Sequence, residues 1–134
     1  FNLEKFILAG YGKNLYLSNS YFDFTKDKDD FNERDKQKQV FDLLSKTVTE
    51  VTKLTKTGCT NISLDKAARK ILGEYEEYFI HSLGHGVGLE VHEGPSISQK
   101  AKQVKLLENE VITIEPGIYF PGKWGMRIED TVVV

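Results

Sequence analysis

The chain of 134 residues contains a single cysteine, Cys59, and so can form no internal disulfide. That poverty fits a reducing compartment, and a cytoplasmic protein is expected. Cys59 itself reads as a small residue in a turn between helices rather than as a nucleophile. No apolar run approaches the ~18 residues that a membrane-spanning helix needs, and nothing at Phe1 reads as a signal peptide. Charge of one sign is lacking too: 18 Lys and Arg stand against 20 Asp and Glu, for a net charge of −2. This removes the electrostatic case for binding nucleic acid. The densest charged stretch, TKDKDDFNERDKQKQ from Thr25 to Gln39, alternates in sign and reads as a solvated turn and helix start. Internal repeats and low-complexity segments are absent. A chain of this length makes one domain able to bury about two-thirds of its unfolded surface.

What the chain does have is concentrated between Phe79 and Pro95, FIHSLGHGVGLEVHEGP. All three histidines, His81, His85 and His92, fall there within 12 positions, among four glycines. Imidazole is the commonest neutral metal ligand and the usual proton carrier near neutral pH, and glycines let backbone approach a ligand closely. Two carboxylates follow in apolar settings, Glu115 in VITIEPGIYFPG and Glu129 in GMRIEDTVVV. Burying a carboxylate in a β-branched run is costly unless it is paired or bound to a metal. One histidine in a glycine-rich loop is more often structural than ligating, and Glu129 could simply pair with Arg127 on the same strand face. Glu115 is harder to explain that way, because it ends a strand beside the Pro116–Gly117 turn. Taken together these residues predict a metal-dependent site built on sheet.

The local patterns predict two strands at residues 4–9 and 14–24 around a turn at Gly10–Lys13. Asp30 or Asn32 caps a long helix reaching about Thr57, with Val40, Leu44, Val48, Val51 and Leu54 as its apolar stripe and Gly58 as its stop. Ser63 caps a second helix over Leu64–Leu72, closed by Gly73. Four further strands are expected, at Tyr78–His81, Gly88–His92, Glu110–Glu115 and Met126–Val134. The fold class is therefore α+β: two helices backing a curved, mainly antiparallel sheet, with His85, Glu115 and Glu129 facing inward from its concave side.

The segments HSLGHGVGLEVHEGPSIS and LLENEVITIEPGIYFPGKWGMRIEDTVVV, over roughly residues 62 to 134, resemble the carboxyl-terminal core of the M24 metallopeptidases, the pita-bread or creatinase/aminopeptidase fold. They are most similar to the proline-specific branch, the Xaa-Pro aminopeptidases and prolidases. The resemblance implies a partial pita-bread fold in which 1–134 is the carboxyl-terminal half of a catalytic domain, truncated at both ends, either a fragment of a longer product or a degenerate gene. It implies a divalent metal (Mn, Co or Zn) held by His85, Glu115 and Glu129, the last bridging two ions in the family. By the same resemblance His81 and His92 line the substrate pocket and stabilise the scissile carbonyl, Glu115 takes part in catalysis, and Arg127 supports the site and the substrate. The partner implied is a peptide with proline at its second position, with neither nucleic acid nor membrane, and a homodimer is open to such a chain.

The same resemblance marks a departure. Two family aspartates should lie on the opening hairpin, but in LAGYGKNLYLSN their positions fall on Leu8 and Asn19. Leucine cannot ligate, and Asn19 offers only a neutral amide oxygen as a weak ligand. Asp23 would serve only after a register shift. One ion at most is expected, at a three-ligand site with an open position of the kind zinc uses in hydrolysis. Two functions from different classes follow. One is a metallopeptidase cleaving between an amino-terminal residue and proline, impaired by the loss of both aspartates; the other is a non-catalytic pita-bread module that binds peptides or proteins.

Overall fold

The computed structural model describes residues 14–18 and 30–134, with side chains described from Glu33 onward. The expected strand at residues 4–9 and the positions Leu8, Asn19 and Asp23 lie outside the described residues. Of the second expected strand, β1 covers Asn14–Ser18.

Helix α1 runs over Asp30–Leu54. Its stripe behaves as the periodicity demands as far as Val51: Val40, Leu44, Val48 and Val51 are buried, with Thr47 between them. Leu54 departs from the expectation, being 49% exposed as the last helical residue. The stripe is closed instead by Thr55, whose hydroxyl donates to the Val51 carbonyl at 3.0 Å. Gly58 (φ 85°) therefore sits in the turn after the helix and does not cap it.

Helix α2 covers Asn61–Leu72, and its cap is Thr60 rather than Ser63. Ser63 is the other half of a reciprocal box: its amide donates to Thr60 Oγ1 at 3.1 Å, and the Thr60 amide donates to Ser63 Oγ at 3.2 Å. Two orphan donors of the first turn are thus satisfied together. The buried Asn61 ties this end of α2 to residues 96–104, donating to the carbonyls of Ser96 and Lys102 and accepting from the Val104 amide. Gly73 (φ 57°) ends the helix as predicted, and a 3-10 run over Gly73–Tyr78 follows it.

The remaining strands are β2 (Gly84–Gly86), β3 (Glu93–Ile97), β4 (Val111–Ile114), β5 (Gly117–Phe120) and β6 (Trp124–Val133). They form one sheet with β1 in the order β1-β6-β4-β2-β3, with β5 also on β6, and every described pairing is antiparallel. The predicted strands near 110–115 and 126–134 are present. Those at Tyr78–His81 and Gly88–His92 are not. The first segment gives its Phe79 and His81 carbonyls to Arg69 rather than to a ladder, and the second is the loop joining β2 to β3, with Leu89 and Val91 exposed.

Strand β5 was not foreseen, because Pro116–Gly117 reads as a stop. In the fold the chain bends at Glu115–Pro116 and resumes pairing with the same long strand. β4 lies along Asp130–Val133 and β5 along Trp124–Arg127, while the Pro116 carbonyl accepts from the Ile128 amide at the break. Alternation along β4 and β6 then sorts the sheet's faces. Ile112, Ile114, Met126 and Ile128 join α1 and α2 in one apolar core. Thr113, Glu115, Arg127 and Glu129 fall on the other parity.

Candidate active site

His85 is placed by glycines. A Cβ on Gly84 would meet the Thr113 carbonyl oxygen at 1.9 Å, and one on Gly86 would meet the Gly94 carbonyl oxygen at 2.1 Å. Strand β2 therefore fits between β3 and β4 only because the residues flanking His85 lack side chains. The His85 amide donates to Thr113 Oγ1 at 3.0 Å, and the Glu115 amide donates to the Leu83 carbonyl at 2.7 Å. These bonds fix the imidazole and the Glu115 carboxyl relative to one another.

The proton inventory there is informative. His85 Nδ1 lies 2.8 Å from the Gly86 carbonyl oxygen, which can only accept, so the ring proton belongs on Nδ1. In the neutral ring Nε2 is then a lone pair, and it faces Glu115 Oε1 at 3.3 Å. Thr113 donates its hydroxyl proton to the same Oε1 at 3.0 Å. Two electron pairs thus confront each other in a partly buried place, an arrangement that a shared cation or an extra proton would relieve. A borderline nitrogen beside hard carboxylate oxygens is a donor set suited to a divalent ion such as zinc or manganese.

Glu129 joins through Arg127. The guanidinium reaches Glu115 Oε2 at 3.5 Å and Glu129 Oε2 at 3.4 Å, so the strand-face pairing of Arg127 with Glu129 is realised together with a link to Glu115. Among the described residues, no three or more His, Cys, Asp or Glu side chains are already arranged to hold a metal ion. The two glutamates instead share the cation supplied by Arg127. The donor chemistry fits a divalent metal, and Arg127 orients both carboxylates.

The other two histidines each touch one member of this network. His81 Nδ1 is 2.7 Å from the Ser82 carbonyl oxygen, so this ring too is protonated at Nδ1, and its Nε2 accepts from the Tyr119 hydroxyl at 2.9 Å. His92, on the exposed loop after β2, reaches the site through its ring, 4.4 Å from that of His85 between centroids.

Two participants escaped the sequence reading. Thr113 is one; its position two residues before Glu115 on the same strand face was the available signal. Tyr119 is the other. An added Cβ at Gly117 would meet its hydroxyl oxygen at 2.6 Å, and one at Gly125 a ring carbon at 2.4 Å, so the side chain lies across a floor of two glycines. Burial pushes the Tyr119 phenol above its ordinary range; the Arg127 charge and hydrogen bond pull it partly back, and Glu115 adds to the rise. The phenol stays protonated and available to His81. His81, Tyr119, Arg127, Glu115 and Glu129 consequently form one polar network, with His85 attached through Glu115.

A histidine and two glutamates thus meet through Arg127 on an antiparallel sheet, with helices behind. The chain belongs to metallopeptidase family M24, whose model matches residues 7–134. It is 50% identical over 102 residues to the Xaa-Pro dipeptidase of Pyrococcus furiosus, covering 75% of this chain and 29% of that protein. The solved prolidase from Pyrococcus furiosus superposes with a TM-score of 0.71 at 50% identity, covering 74% of this chain and 30% of the other. X-Pro aminopeptidase from Thermotoga maritima superposes at 0.70 with 48% identity, over 75% of this chain and 29% of its own. X-prolyl aminopeptidase from Caenorhabditis elegans, described as a cytosolic enzyme with a di-nuclear active site, matches at 0.51 with 40% identity over 57% of this chain and 13% of its own. The fold is accordingly the pita-bread type in its carboxyl-terminal part. The chain spans about three-tenths of the length of the relatives it matches first.

Proposed function

We propose that this chain is the carboxyl-terminal half of a proline-specific metallopeptidase site, acting on the bond between an amino-terminal residue and proline. The observation that carries the reading is the His85–Glu115 confrontation, with each neighbouring proton already committed to Gly86 or to Glu115 itself. His85, Glu115 and Glu129 would hold a divalent ion, Mn, Co or Zn, with Asn19 as a weak neutral addition. When bound, such an ion acidifies water and polarises a carbonyl. The chain's own residues supply the rest. His81 and His92 flank the place where a scissile carbonyl would lie and are suited to donate hydrogen bonds to its developing charge. Glu115 can receive a proton at Oε2, and Arg127 keeps both carboxylates oriented.

The aspartates of the family ligand set fall on Leu8 and Asn19, which supports one ion at most and an impaired enzyme. The alternative is a non-catalytic module that binds peptides or proteins. A cytoplasmic setting is supported by the single cysteine, and no helix among the described residues is long and apolar enough to cross a membrane. A homodimer belongs to the same proposal.

Hydrolysis of an Xaa-Pro-Xaa peptide with added manganese, cobalt or zinc tests the reading, with His85→Ala as the control. Slow release of the first residue that disappears in the control is the expected result. Rapid turnover lost in the control would contradict the impairment while keeping the peptidase. Peptide binding without hydrolysis, indifferent to His85→Ala, would favour the binding module.

A further inference from the structure

Arg69 on α2 makes more contacts than an ion pair within a helix requires. Its Nε donates to Asp65 Oδ2 at 2.9 Å, its Nη1 to the Phe79 carbonyl at 3.1 Å and its Nη2 to the His81 carbonyl at 2.9 Å. The same guanidinium lies 4.5 Å from the centroid of the Phe79 ring. That ring meets the His81 imidazole edge-on, 4.9 Å away at 81°. Arg69 therefore grips His81 twice, through its carbonyl and through the aromatic ring that flanks its imidazole. A planar guanidinium can do this because its donors point along fixed directions in one plane.

Asp65 sets the rotation of that plane. Its side chain is fully buried, and Oδ2 also accepts the Gln99 amide at 2.9 Å. Among the described residues its Oδ1 is buried with no hydrogen-bond partner. An orphaned carboxylate oxygen is a cost, and a pair present only to stabilise α2 could sit at the surface without it. The segment gripped is irregular, lying between the 3-10 run and β2, so no ladder fixes its course.

We infer that the Asp65–Arg69 pair is a positioning device for His81, setting the ring so that Nδ1–H meets the Ser82 carbonyl and Nε2 meets the Tyr119 hydroxyl. The functional meaning of this rests on the substrate-facing role proposed for His81; the geometry does not.

The test uses the full chain with ring-labelled histidines, without metal or peptide. Long-range nitrogen–proton spectra are recorded at about pH 8.5, where an ordinary imidazole is neutral, and single histidine substitutions assign the three rings. In wild type His81 should show the Nδ1-protonated tautomer alone. Arg69→Ala should turn it into a mixture of tautomers while the His85 and His92 patterns stay in place. Arg69→Lys, which can reach one carbonyl at a time, should restore part of the single-tautomer signature, and Asp65→Asn should fall between them. Should Arg69→Ala fail to fold, Arg69→Lys and Asp65→Asn are read in the same way. An unchanged His81 in the folded variants would overturn the inference, as would equal changes in all three rings, which would mean general loosening. Because the readout involves no catalysis, an inactive chain leaves this result standing and a failed His81 signature leaves the peptidase reading untouched.

Discussion

The two faces of the sheet are held together by different physics. Behind it, α1 and α2 are fixed by apolar burial: Val40, Leu44, Val48, Leu64, Ala68 and Leu72 meet Ile112, Ile114, Met126 and Ile128. The ion pairs on the outside of α1, Lys38–Asp42 and Lys53–Glu50, are exposed on both partners, and such pairs contribute little. In front, position depends on directional bonds and on missing side chains. Thr113 joins His85 to Glu115, Arg127 joins Glu115 to Glu129, and glycines at 84, 86, 117 and 125 let strands and the Tyr119 ring come close. Apolar packing tolerates exchange of one side chain for another of similar volume. The front face has no such latitude, since its geometry rests on particular atoms.

The largest expected effect breaks the back face alone. Leu44→Ala removes a fully buried side chain and should cost about 3 kcal/mol in urea denaturation. Ion binding by the folded fraction should be unchanged. Loss of binding in the folded variant would mean that the two faces are coupled.

Gly84→Ala attacks the front face through backbone. With the Thr113 carbonyl oxygen 1.9 Å from the added Cβ, β2 must shift away from β4, at about 1–3 kcal/mol. His85 would move with it, so ion binding should suffer far more than stability does. A variant that binds the ion normally would show that β2 is not held as closely as described.

A smaller change follows from Thr113→Val, which keeps the shape and deletes the hydroxyl between His85 and Glu115. About 1–2 kcal/mol of stability and roughly tenfold in ion affinity should be lost. An affinity equal to wild type would leave Thr113 a bystander.

The smallest effect concerns Tyr119, whose phenol is held protonated above its ordinary range by burial. The folded protein keeps this proton to higher pH than the unfolded chain does. The stability it confers is therefore complete below the ordinary tyrosine pKa near 10 and is lost as pH rises through the folded value. Denaturation midpoints measured between about pH 9 and 11.5 should fall more steeply for wild type than for Tyr119→Phe. Parallel profiles would contradict the assignment.

The contrast between faces also explains what could be read from the sequence. The back face announces itself by periodicity: the α1 stripe as far as Val51, the α2 helix ended by Gly73, and the runs leading to Glu115 and Glu129 appear where local spacing puts them. On the front face, the residue types identify His85, Glu115, Arg127 and Glu129, but their partners lie far along the chain. Thr113 meets His85 across 28 positions, and Tyr119 meets His81 across 38. No local pattern reports such distances. Propensity misled at Tyr78–His81, where aromatic and β-branched residues suggest strand but Arg69 claims the carbonyls. It misled again at Leu89 and Val91, which are exposed in a loop. Strand β5 was hidden by a proline that bends the chain without ending the sheet.

Titration of manganese or zinc into the full chain by calorimetry, with His85→Ala and Glu115→Gln beside it, tests the central claim most directly. One ion at most should bind to wild type, and both variants should lose it. Binding of two tight ions, or a single ion indifferent to both substitutions, would contradict the account.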